Sequence, residues 1–193
     1  MTMSKGRLEA FSDGVIAIII TIMVLELHAP HGTDLEALRP LLPKFAWYAV
    51  SFAFLGIYWN NHHHMLQAAR HVDGRILWAN MHLLFWLSLV PFVTAWVGEA
   101  HLAPIPVAAY GVVQLLAGCA YYLLSLSLIA RHGTDSPLAR AVGRDFKGRL
   151  SIALYVVAVV AAFAAPWVSC AIYVGLAIWW IVPDRRIEKV LAE

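Results

Sequence analysis

The sequence predicts an all-α, polytopic membrane protein with six transmembrane helices. Three observations carry that prediction. Hydrophobic residues fill 61% of the 193 positions and charged residues only 13%, about half the charged share of a soluble domain. The apolar residues gather into stretches long enough to cross a hydrocarbon core of about 30 Å. Eight Trp and seven Tyr suit the aromatic belts at the two membrane surfaces. Basic residues sit in short connectors and form no long run, which excludes a nucleic-acid partner. Cys119 and Cys170 both fall inside apolar stretches and make no disulfide framework.

The first span is expected from about Leu8 to Leu27, ending before Pro30. Asp13 and Glu26 interrupt it and no small-x-small site follows, only His28-Ala29-Pro30, so this helix is expected to be retained rather than cleaved as a signal peptide. A polar loop with Asp34, Glu36, Arg39, Pro40 and Pro43 leads to the second span, about Phe45 to Ala68. The third is about Ile76 to Val97, with Pro91 expected to kink it. The fourth runs from about Pro106 to Ala130, the fifth from Leu150 to Ala165, and the sixth from Val168 to Val182, where Pro183 stops it. The longest connector, Arg131 to Arg149, reads as a loop with a short amphipathic helix. Residues 1–193 thus read as a single six-helix domain, without a sequence repeat between its halves.

Basic residues orient the spans. With the N-terminus cytoplasmic, 12 of the 14 Lys and Arg fall on the cytoplasmic side and only Arg39 and Lys44 outside. Both termini are therefore expected inside, in a cell inner membrane.

This topology brings polar residues to one depth. Ser12 and Asp13 lie about 8 Å inside the cytoplasmic end of the first helix. The second helix carries Trp59-Asn60-Asn61-His62-His63-His64 near the same surface, and the third carries Asn80 and His82. Lipid supplies no hydrogen bonds, so a bonded layer joining the three helices is expected, with Asp13 as acceptor and His or Asn as donors. Helix phase separates this layer from a second face. At 100° per residue, Ile18, Ile22 and Leu25 lie within about 60° of one another and Thr21 borders them, while Asp13 lies about 140° from Ile18 and is expected to point into the bundle.

Arg7-x-x-x-Phe11-Ser12-Asp13-Gly14, followed by an apolar helix ending Leu25-Glu26-Leu27, resembles the first helix of the transmembrane protein 175 family. Trp59-x-Asn61-His62-His63 and the stretch from Asn80 to Pro91-Phe92 resemble its second and third helices. The last three spans match only by hydropathy and position. The resemblance implies a weakly to moderately potassium-selective channel, a homotetramer in which the first helix of each subunit lines the pore and potassium is the permeant species. It implies a constriction at Ile18, Ile22 and Leu25, a selectivity role for Thr21 beside Ile18, and subunit assembly through Arg7, Phe11, Ser12, Asp13 and Gly14 with Trp59, Asn61, His62, His63 and Asn80. The triple His62-His63-His64 exceeds the family's usual pair.

Plainer readings stand beside these. The isoleucines could face lipid, and Thr21 could bond back to a carbonyl one turn earlier. Glu26 is either a cation-concentrating carboxylate at the outer mouth or a solvated helix end. Three adjacent histidines on a regular helix cannot ligate one metal, so neither a metal nor a cofactor is expected, and no nucleophile motif suggests an enzyme. The alternative is a proton-coupled transporter using Asp13 and the His62–His64 cluster, for which membrane-midplane breaks in the first helix would be expected; the sequence has none.

Overall fold

The computed structural model describes residues 4–69, 71–133, 136, 139 and 145–181. Expectations for Arg70, the connector residues Arg140 and Arg144, and everything from Val182 onward lie outside these. Among the described residues the chain is helical: α1 Lys5–Leu25, a 3-10 helix Leu35–Leu41, α2 Leu42–Gln67, α3 Gly74–Ser88, α4 Val90–Glu99, α5 Pro104–His132, α6 Phe146–Ala161 and α7 Pro166–Ile181.

Local chemistry sets these ends. Prolines start α2, α4 and α5, where the missing N–H is one the first turn leaves unpaired anyway. Asp73 caps α3, its carboxylate accepting from the N–H groups of Arg75 and Ile76 at 3.0 Å. Asp145 accepts from Gly148 N at 3.1 Å and starts α6 at Phe146, earlier than the apolar run suggested. Asp34 caps the 3-10 helix through Ala37 N, which turns the expected open loop into an ordered lead-in to α2.

Pro91 does more than kink the third span: the helix stops at Ser88 and restarts at Val90 as α4. A proline ring cannot donate to the preceding turn and clashes with it. Taken through such breaks, Lys5–Leu25, Leu35–Gln67, Gly74–Glu99 and Pro104–His132 are long and apolar enough to cross a membrane. The helices at the fifth and sixth expected spans have 16 residues each, about 24 Å.

α5 is the hub, packing on α3, α4, α6 and α7, while α1 leans on α2, α3 and α4. The core between α2, α5, α6 and α7 is aromatic: Trp47 and Tyr110 have ring centroids 4.9 Å apart, Tyr110 and Tyr173 5.3 Å, Tyr155 and Tyr173 6.0 Å. The Tyr173 hydroxyl donates to the Val107 carbonyl across α5 at 3.2 Å, and Gly111 makes room for it, since a Cβ there would fall on that hydroxyl and on Val159. Gly111→Ala should therefore lower thermal stability in detergent by roughly 1–3 kcal/mol, the usual cost of overpacking; an unchanged melting temperature would refute this packing account.

A second buried feature was not visible in the sequence. Thr94 Oγ1 lies 2.7 Å from Ser51 Oγ, Ser51 lies 3.1 Å from the Tyr110 hydroxyl, and Gln114 Nε2 donates to that hydroxyl at 3.3 Å. These buried side-chain bonds fasten α4 to α2 and α5.

Candidate functional site

α1 has two faces. Leu8, Ser12, Ile16, Ile19 and Met23 are buried against α2, α3 and α4, spaced by four, four, three and four residues as a helix stripe requires. The opposite side is bare: Ile18 is 57% exposed, Ile22 45% and Leu25 72%, and Thr21 is exposed between them. The Thr21 hydroxyl donates to the Ile18 carbonyl at 2.9 Å. Beyond them Glu26 ends the helix, exposed. Ile18, Ile22 and Glu26 line an open groove whose other wall is Ser88, Pro91, Phe92 and Ala95. The break between α3 and α4 thus borders the bare face of α1.

At the other end of α1 a buried polar cluster ties three helices together. Ser12, His62 and Asn80 are all buried. Asn80 Nδ2 donates to Ser12 Oγ at 2.9 Å, and Ser12 donates onward to the Leu8 carbonyl at 2.9 Å. The Asn80 carbonyl oxygen faces His62 Nε2 at 2.7 Å. An amide oxygen only accepts, so His62 carries its proton on Nε2; this tautomer is fixed by the network. One residue on, Asp13 is only half-buried, and its Oδ1 accepts from Trp59 Nε1 at 3.0 Å. The His63 ring stacks on Trp59, centroids 6.2 Å apart.

The expected layer therefore exists with its roles redistributed. The acceptor for Asn80 is Ser12, not Asp13, and the donor to Asp13 is Trp59, neither His nor Asn. Successive helix residues point about 100° apart, so placing Ser12 in the core turns Asp13 to the rim. Asn61 lies outside the layer: its backbone carbonyl accepts from the Tyr121 hydroxyl at 3.3 Å, toward α5. His82 is also outside, accepting from Trp86 Nε1 at 2.9 Å. Arg7, Phe11 and Gly14 are exposed on the surface of the chain. Sequence reasoning missed Lys5, whose Nζ donates to the Gln67 carbonyl at 3.1 Å and lies 3.7 Å from Glu9. A cation at the C-terminal end of α2 meets the negative end of its dipole. Among the described residues no three His, Cys, Asp or Glu gather as metal ligands.

The model of the family described as endosomal/lysosomal potassium channel TMEM175 matches residues 7–91, the segment that carries both the bare face and the polar cluster. A potassium channel of Chryseobacterium sp. (strain P1-3) is 50% identical over 191 residues, covering 99% of this chain and all of that protein. The chain belongs to the TMEM175 family. A potassium channel of Streptomyces collinus is 34% identical over 151 residues, 71% of this chain and 73% of its own length. The crystal structure of a lysosomal potassium-selective channel TMEM175 homolog from Chamaesiphon minutus superposes with a TM-score of 0.80 at 30% identity, covering 93% of this chain and 97% of that one. These TMEM175 relatives are ion channels rather than enzymes.

Proposed function

We propose that the chain is a potassium channel subunit with six membrane spans and both termini cytoplasmic, working as a homotetramer in a cell inner membrane. Four copies of α1 surround the pore. Ile18, Ile22 and Leu25 form its constriction, Thr21 borders the narrowest ring and favours potassium, and Glu26 stands at the outer mouth. The observation that carries this reading is the bare apolar stripe on α1. A helix bundled with three neighbours leaves one face uncovered, and that face alternates smooth aliphatic rings with one hydroxyl.

Rings of this kind gate by excluding water: a narrow apolar segment dewets until it widens. The polar cluster has a different task. It fixes the rotation of α1 against α2 and α3, so that the isoleucines and not their neighbours face the axis. Arg7, Phe11 and Gly14, exposed on one subunit, together with Asp13 and Trp59 at the rim, suit contact with the next copy. Positive-inside counting and the potassium-channel names of full-length relatives support the topology and the ion.

The test is recording from purified protein in planar bilayers under opposed potassium and sodium gradients. A reversal potential displaced toward the potassium equilibrium value is expected. Thr21→Val, which keeps the shape and removes the hydroxyl, should move it toward zero with little change in conductance. A reversal potential at zero in the parent protein would refute potassium selectivity, and an unaltered one in Thr21→Val would remove Thr21 from it.

A further inference from the structure

At the Glu26 end of α1, three charges share one small cleft. Glu26, Lys44 and Glu99 line it together with Met23, Tyr48 and Thr94. Lys44 Nζ is 2.7 Å from Glu99 Oε1; Glu26 is exposed and stands outside that pair. Glu99 is not placed where its own helix favours it: it is the last residue of α4, and a helix C-terminus repels anions. It is held there by Lys44. Their backbones are held as well, because α2 and α4 approach closely here: a Cβ on Gly98 would come within 3.1 Å of Lys44 Cα. The lysine ammonium is a mobile point charge on a four-carbon stem, and a surface ion pair resists a change of partner only weakly. Without Glu99, the carboxylate remaining in the cleft is Glu26.

We propose that Glu99 is a positioning residue for conduction: it holds Lys44 on the α2–α4 side of the cleft and so leaves the Glu26 carboxylate uncompensated at the outer end of the pore. The inference rests on the pore reading of α1. With the pair intact, the cleft presents one net negative charge per subunit, that of Glu26. If Glu99 loses its charge, Lys44 turns to Glu26 and the net charge falls to zero. A ring of fixed carboxylates raises the local cation concentration, so the change reads out as conductance.

The experiment compares single-channel potassium conductance at roughly 20 mM salt, where screening reaches only over about 20 Å, with that at roughly 1 M, where it acts within about 3 Å. Recordings are made at one pH, because His28 also lies near Glu99. Glu26→Gln should reduce low-salt conductance about threefold, Glu99→Gln should reduce it as far, and Lys44→Met/Glu99→Gln should restore it. All should converge at 1 M, which shows that the channels are intact. A reduced Glu26→Gln beside a Glu99→Gln equal to the parent overturns this inference alone, as does a double variant no better than Glu99→Gln. An unchanged Glu26→Gln at low salt removes Glu26 from the mouth, and the inference falls with it.

Discussion

Ile18→Asn should raise resting potassium flux through proteoliposomes about tenfold or more. The substitution places an amide in each of four positions where the proposed pore presents only methyl and methylene groups. Moving an isoleucine side chain out of water is worth about 1.5–3 kcal/mol, so four polar replacements in one ring readily remove more than the 1.4 kcal/mol that corresponds to a factor of ten. Because Ile18 is 57% exposed in the single chain, the replacement costs the fold little. Ile16, two residues earlier and buried, is the contrasting position: Ile16→Asn buries an unpaired amide and should lower stability without opening the pore. Flux unchanged in Ile18→Asn, with the protein intact, would take Ile18 out of the gate.

Asn80→Ala should be the most damaging single truncation in the polar cluster. Asn80 serves two partners, donating to Ser12 and accepting from His62, and both are buried. Its loss strands the His62 Nε2–H and removes the donor to Ser12. An orphaned buried group costs about 1–3 kcal/mol, so a loss of roughly 2–4 kcal/mol is expected. Ser12→Ala should cost less, about 1–3 kcal/mol, because it orphans one buried group, the Asn80 Nδ2–H, while its own proton went only to a carbonyl within α1. Melting of the detergent-purified protein, followed by size-exclusion chromatography, orders the two. An Asn80→Ala melting temperature equal to the parent's would show that Asn80 does not knit α1, α2 and α3 together.

Much of this architecture was legible beforehand, and what was missed has a common cause. The solvent is written into composition, and the phase of a single helix is written into its spacing. That is why Ile18, Ile22 and Leu25 emerged as one stripe, and why Ser12, His62 and Asn80 could be placed at one depth. Which residue of a neighbouring pair faces inward is harder, since one position is 100° of rotation. The sequence reading gave the core to Asp13, and the bundle gave it to Ser12. Partners distant in the chain were likewise hidden: Lys44 and Glu99 are 55 residues apart, and Ser51 and Tyr110 59. Hydropathy states how apolar a residue's surroundings are and never which helix supplies them. The full break at Leu89 was half legible, because Pro91 signals the disruption but not whether the helix bends or restarts.

The Thr21 hydroxyl has a single proton, and that proton is engaged by the Ile18 carbonyl. What remains for an ion in the proposed pore is oxygen lone-pair density. A chloride seeking a hydrogen-bond donor at this level of α1 finds none on offer from the side chain, whereas a cation shedding part of its water finds an acceptor. One local bond of the kind usually dismissed as helix upkeep thus gives the proposed ring a sign.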